Sequence, residues 1–138
     1  MSNIVVDSYA WVEYAEGSEE GERARSYVEG ETALYTPAVV LAELSDRAAR
    51  TDRRESWTAT LGPFVRGHTT VVPLDADLAD RAGQIKWEMR ESSPEVGLAD
   101  AIVLATAREH DARVLTGDPD FLVPALADEV IDVTATDG

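Results

Sequence analysis

Cysteine is absent from the chain, which excludes disulfides, thiolate metal sites and a cysteine nucleophile. Histidine occurs only twice, too few for a histidine-rich zinc site. Lysine is nearly missing as well: of 12 cations only Lys86 is not arginine. No apolar run approaches the roughly 18 residues that a membrane helix needs, and the N-terminal MSNIVVDS lacks the basic start and cleavage site of a secretory signal. These absences lead us to expect a cytoplasmic protein without membrane contact. What is plentiful is carboxylate, with 27 Asp plus Glu against 12 Lys plus Arg and a formal net charge of −15. The 138 residues, 44% apolar and 28% charged, suit one domain over residues 1–138 with a hydrophobic core of its own.

An acid-rich, lysine-poor surface points to a halophilic protein. Salt shortens the Debye length to about 3 Å at 1 M, muting repulsion between such a surface and a phosphate backbone. The acidity therefore does not exclude RNA as a substrate.

Ile4-Val5-Val6 reads as a strand ending at Asp7, and Ser8 opens a helix. After Gly17-Ser18, a polar helix is expected over Glu19 to Val28, then a strand over Ala33 to Thr36 stopped by Pro37. A helix follows from Ala38, and another from Arg53 to Val65 with Gly62-Pro63 disturbing its end. Thr69 to Leu74 is β-rich, Asp75-Ala76-Asp77 opens a helix of about four turns, and Ser92-Ser93-Pro94 is a loop. An apolar helix from Gly97 to His110, a strand at Arg113 to Thr116 and a last strand at Val130 to Val133 complete the pattern. Strands separated by helices predict an α/β domain with a mainly parallel central sheet flanked by helices.

In so acidic a chain, the informative carboxylates are those among apolar neighbours, where an unpaired charge is costly to bury. Acids in polar runs such as Glu16 to Glu22 or Asp52 to Glu55 are expected to be solvated. Four others stand out: Asp7 after Ile4-Val5-Val6, Glu43 within Val40-Leu41-Ala42-Glu43-Leu44, Asp100 within Leu98-Ala99-Asp100-Ala101-Ile102, and Asp118 after Leu115-Thr116-Gly117. Each has a plainer reading. Asp7 and Asp100 suit helix N-termini, Glu43 suits a helix surface, and Asp118-Pro119-Asp120 suits a turn. Asp7 and Asp118 fall at or just past strand ends, where ligands of an open parallel sheet bind, and Glu43 and Asp100, near helix starts, are placed so that they can face the same rim. Carboxylates gathered there without cations repel one another unless a divalent ion sits among them, and oxygen ligands select Mg²⁺ or Mn²⁺.

The segments IVVDSYAWVEY, TPAVVLAELSDRA, GLADAIVLATARE and LTGDPDF resemble the successive acidic motifs of the PIN-domain ribonucleases, and among these the VapC-type toxins of toxin–antitoxin pairs. The resemblance spans nearly the whole chain in order and spacing. It implies a three-layer PIN-like fold and a Mg²⁺-dependent endoribonuclease acting as a toxin. It matches Asp7, Glu43, Asp100 and Asp118 to catalytic, metal-binding acids. Asp120 falls in the last motif, and Ser8 and Thr116 stand where such proteins often carry a hydroxyl near the acids. The partners implied are RNA, a cognate antitoxin and a second copy of the chain. A PIN-like RNA-processing nuclease without toxin role, or a catalytically weak RNA- or protein-binding module, are the alternatives.

Arg47, Arg50 and Arg54 follow Glu43 at intervals of 4, 3 and 4, one stripe if the helix continues that far. They read either as an RNA or partner contact or as surface ion pairs with Asp46 and Asp52. Trp57, Leu61 and Phe64 read as core or as a docking face. A phosphoacceptor receiver domain needs a lysine after a late strand, whereas Lys86 falls in a predicted helix. A haloacid-type phosphatase needs an Asp-x-Asp pair after its first strand, and Asp7-Ser8-Tyr9 lacks it.

Overall fold

The computed structural model describes residues 3–30 and 32–136. Its centre is β1 (Asn3–Val6), in which Ile4, Val5 and Val6 are all buried. A strand covered on both faces can use a continuous apolar run rather than an alternating one. β1 is flanked by β2 (Ala33–Pro37) and β4 (Ala112–Thr116), with Val5 opposite both Tyr35 and Val114. β3 (Thr70–Val72) and β5 (Val130–Asp132) form the edges, and all five strands are parallel in the order β3-β2-β1-β4-β5. The chain thus winds outward from β1 to β3 and returns to the other side of β1. That reversal leaves a crevice beyond the carboxyl ends of β1 and β4.

Helices α1 (Ser8–Glu16) and α2 (Glu19–Val28) follow β1, joined at Gly17, whose φ of 69° lies in the left-handed region that favours glycine. The Ser18 hydroxyl caps α2 by accepting from the Gly21 N–H at 3.0 Å. After β2 comes α3 (Ala38–Arg50), and after β3 comes α6 (Ala76–Glu88), capped by Asp75 accepting from the Leu78 N–H at 2.8 Å. The apolar α7 (Leu98–Glu109) leads into β4, and a single 3₁₀ segment, Pro124–Glu129, leads into β5. Trp11 lies at the centre of the packing, with its ring edge-on to Tyr14 and Phe64.

Two expectations for the middle of the chain are corrected. Gly62-Pro63 does not disturb a helix end: α4 (Arg54–Ser56) passes through a π turn at Trp57–Leu61 into α5 (Gly62–His68). The Gly62 N–H bonds to the Trp57 carbonyl across the widened turn, so the proline, which has no N–H, falls where no regular bond is broken. Nor does α3 continue to Arg54. The chain reverses at Thr51-Asp52, with Asp52 in the left-handed region at φ 57° and the Arg53 N–H bonded to the Ala48 carbonyl at 2.7 Å.

Candidate metal centre

Asp7 leaves the end of β1 and is only 3% exposed. Its backbone is positioned to cap α1, yet its carboxylate makes no cap hydrogen bond there. Instead Oδ2 accepts from the buried Thr116 hydroxyl at 2.8 Å, across the β1–β4 pair. The same hydroxyl oxygen accepts from the Asp118 N–H at 3.0 Å, and Asp118 Oδ1 accepts from the Asp120 N–H at 2.9 Å. Thr116 therefore ties the acid after β1 to the acidic loop after β4.

Asp100 enters from the first turn of α7, its Oδ2 accepting from the Gly97 N–H at 3.3 Å. The loop before α7 is held to the acidic loop by Ser93, whose buried hydroxyl donates to the Asp120 carbonyl at 2.8 Å. Carboxylate oxygens of Asp100, Asp118 and Asp120 consequently lie within 4.8 Å of one another. Glu43 comes from α3, half-buried, with the Ser8 hydroxyl beside it. Among the described residues none of these five acids has an arginine, lysine or histidine ion-pair partner.

The crowding appears in the proton affinities. Burial pushes Asp7 up to about 7, with the Glu43 and Asp100 charges adding to the shift and the Thr116 hydrogen bond opposing it. Burial, then Asp118, Asp120 and Glu43, raise Asp100 to about 6, while the Gly97 N–H opposes. Glu43 is raised by burial and by Asp118, and Asp120 by burial, Asp118 and Glu95.

The donor set fits a divalent cation. Oxygens bound to one Mg²⁺ at about 2.0–2.1 Å lie no more than about 4.2 Å apart, so small side-chain adjustments bring Asp100, Asp118 and Asp120 onto one ion. Asp120, read from sequence as a neighbour of the acids, belongs to this tightest group. Its signal was the Asp-Pro-Asp spacing, which turns two carboxylates toward one point.

The arginines divide. Arg47 and Arg50 line a groove that runs from Asp118 and Glu43 between α1 and α3, past Ser8, Tyr9 and Glu13. Arg47 sits 3.6 Å from Glu16, and Arg50 pairs with Asp46 at 2.9 Å. Arg54 is not on their stripe: the reversal at Asp52 places it on α4, donating to Ser45 and lining a separate cavity with Trp57 and Arg66. Trp57 is buried in the core, and Phe64 stacks on Tyr14 and His68.

Sequence reasoning missed Tyr9 and Glu20. Glu20 lies in a run expected to be solvated, but it is half-buried and accepts the Tyr9 hydroxyl at 2.7 Å, which pushes that phenol up to about 12. The Tyr9 ring in turn presses on Gly117: a Cβ there would lie 2.4 Å from Tyr9 Cε1 and 2.9 Å from the Thr134 methyl. Gly117→Ala is therefore expected to lose about 1–3 kcal/mol of stability by overpacking and to displace the acidic loop. The urea midpoint and the Mn²⁺ affinity are the measurements, and an unchanged pair of values would refute the contact.

The family model for the PIN domain matches residues 4–125. The chain belongs to the PIN domain family. No curated protein matches it in sequence. Among solved structures, the PIN domain is similar in fold to one in DNA-bound VapBC from Salmonella typhimurium (TM-score 0.74, 20% identity, covering 96% of this chain and 99% of that one). It is also similar to VapBC2 from Rickettsia felis bound to a promoter DNA fragment (0.74, 15%, 94% and 98%). A third likeness is to VapC20 from Mycobacterium tuberculosis, a sarcin–ricin-loop-cleaving toxin (0.69, 22%, 86% and 92%).

Proposed function

We propose that this PIN domain is a metal-dependent endoribonuclease that hydrolyses RNA phosphodiester bonds and serves as the toxin of a toxin–antitoxin pair. The observation that carries the reading is the cluster of Asp100, Asp118 and Asp120 beyond β1 and β4, with Glu43 and the buried Asp7 near enough for their charges to be felt, and no ion-pair cation for these acids among the described residues. A Mg²⁺ or Mn²⁺ ion bound there supplies a bound water of lowered pKa and neutralises charge on the transferring phosphoryl group. Asp100, Asp118 and Asp120 would hold the ion together with Asp7. Glu43, less buried and with its proton affinity raised, would orient the attacking water and take its proton. Thr116 fixes the Asp7 carboxylate, and Ser8 positions Glu43.

RNA as substrate is supported by the solved relative that cleaves the sarcin–ricin loop, and an antitoxin partner by the relatives solved as VapBC complexes. An apolar groove floored by Val12, Leu44, Ala48, Trp57 and Leu61, with Arg47 at its rim, adjoins the acids and suits a partner segment. Arg47 and Arg50 would meet the RNA backbone or that segment. Arg54, outside the groove that leaves Glu43, is left without this role.

The test is RNA cleavage by the purified protein at low and molar salt, with and without Mg²⁺ or Mn²⁺, beside Asp100→Asn. Cleavage is expected to need the metal and to fall by about 100-fold or more in the variant, whose fold is checked by circular dichroism. Metal-independent cleavage, or a fully active variant, would refute the assignment.

A further inference from the structure

Arg54 of α4, Trp57 and Thr58 of the π turn, and Gly62, Pro63 and Arg66 of α5 enclose a cavity of about 350 Å³. No acid lines it. In a chain with 27 acids and 12 cations that composition stands apart. The groove at Asp118 also holds Glu13, Glu16 and Glu43, the apolar groove holds Glu16, and the depressions at Arg108 and Trp87 hold Glu129 and Glu88. Residues 53–68 carry three arginines against one acid, Glu55, which lies outside the lining. Among the described residues neither Arg54 nor Arg66 forms an ion pair. The Ser45 carbonyl and hydroxyl both accept from Arg54 Nη1, which fixes that guanidinium and leaves its remaining N–H groups to a ligand.

Trp57 supplies a second, independent observation. It is only 8% exposed, yet its indole N–H, unlike that of Trp11, donates to no described residue, and its nitrogen is not sealed from solvent. The nitrogen-bearing edge of the ring lies against Gly62 in the cavity lining, where a Cβ would stand 3.3 Å from Trp57 Cε2. Two guanidiniums, an indole N–H and the Thr58 hydroxyl thus offer donors from three consecutive segments around one space. A phosphate, with three acceptor oxygens in a pyramid, answers donors arranged around it better than a planar carboxylate does. The volume exceeds what a phosphate alone fills, and Pro63 with the Trp57 edge gives an apolar wall for a sugar or base. We propose that this cavity binds the phosphate group of a nucleotide, carried either by a free nucleotide or by the end of an RNA strand. None of the five acids of the metal centre lines it, so the site is separate from that centre.

Isothermal titration calorimetry on the metal-free protein tests this without any cleavage, so the outcome is independent of the nuclease reading. The probes are inorganic phosphate, adenosine 5′-monophosphate, adenosine, a 5′-phosphorylated RNA octamer and hexaglutamate, at the lowest salt in which circular dichroism shows the fold. The monophosphate is expected to bind once per chain, and adenosine at least about tenfold more weakly. Arg54→Gln and Arg66→Gln should each weaken the monophosphate by about tenfold or more. Arg113→Gln, at another exposed arginine without an ion pair, should leave it unchanged; all three positions are exposed, so the fold should survive. An octamer that binds more tightly than the monophosphate and weakens in the same two variants assigns the phosphate to RNA, and one that does not assigns it to a free nucleotide. No binding of either phosphate compound, affinity indifferent to both arginine variants, or hexaglutamate binding as tightly as the monophosphate would overturn the proposal.

Discussion

Without divalent metal at pH 8, Asp7→Asn should melt several degrees above wild type, while its metal-dependent cleavage of RNA is lost. The folded protein holds the Asp7 proton with a pKa of about 7, against an ordinary value of 3.8. The folded state thus binds this proton more tightly than the unfolded chain does. Its contribution to stability is full below the ordinary carboxyl pKa and is lost as pH rises from about 4 through about 7. Three pKa units correspond to on the order of 4 kcal/mol, an upper bound because Glu43 and Asp100 share the repulsion. Asparagine keeps an oxygen to accept from Thr116 and carries no charge to bury. At pH 4 wild type and variant should therefore converge. Saturating Mg²⁺ should reverse their order at pH 8, because only wild type gains full stabilisation from binding. Melting curves at the two pH values, with and without Mg²⁺, give all four comparisons. A variant less stable than wild type in metal-free buffer at pH 8 would mean that Asp7 does not sit in a repulsive cluster.

Trp11→Ala should produce the largest loss of stability, about 3–5 kcal/mol. Trp11 is fully buried on α1, edge-on to Tyr14 at 5.7 Å and to Phe64 at 6.1 Å. Its Nε1–H donates to the Thr36 hydroxyl at 3.3 Å, and Thr36 is hydrogen-bonded to Thr69 at 2.8 Å. One side chain therefore joins α1, which carries Ser8 and Tyr9 at the site, to the end of β2, the segment before β3 and α5. Truncation leaves a cavity at that junction and removes the donor, in a domain whose whole stability is of order 5–15 kcal/mol. Trp11→Phe keeps most of the ring volume and should cost only about 1–2 kcal/mol, chiefly the hydrogen bond. Urea unfolding of the two variants separates packing from hydrogen bonding. Equal losses would assign the effect to the Thr36 contact alone.

Much of the fold was legible because its signals are local. The apolar run Ile4-Val5-Val6, the Gly17-Ser18 break, Asp75 before α6 and the Gly-Asp-Pro-Asp loop after β4 act within a few residues through backbone preference and capping. The four acids were legible for a related reason: each stands against apolar neighbours, where a carboxylate is expensive without a partner.

The positions of side chains between elements were not legible. The intervals from Glu43 to Arg54 suit one helix, but a single left-handed residue, Asp52, sends Arg54 elsewhere. Glu20 stands in a polar run, and only the packing of α2 on α1 brings it to the Tyr9 hydroxyl. The Pro63 ring finds its place because the π turn ahead of it widens the helix, a feature with no local signature here.

The sequence by itself determined most of the strands and helices, the α/β class and which acids are candidates for the site, because hydrophobic burial and backbone preference act locally. Only the tertiary structure decided that Thr116 would bridge Asp7 and Asp118 and that Asp120 would join Asp100. Those contacts depend on the strand order β3-β2-β1-β4-β5 and on loop closure over up to 109 residues, which no local pattern encodes.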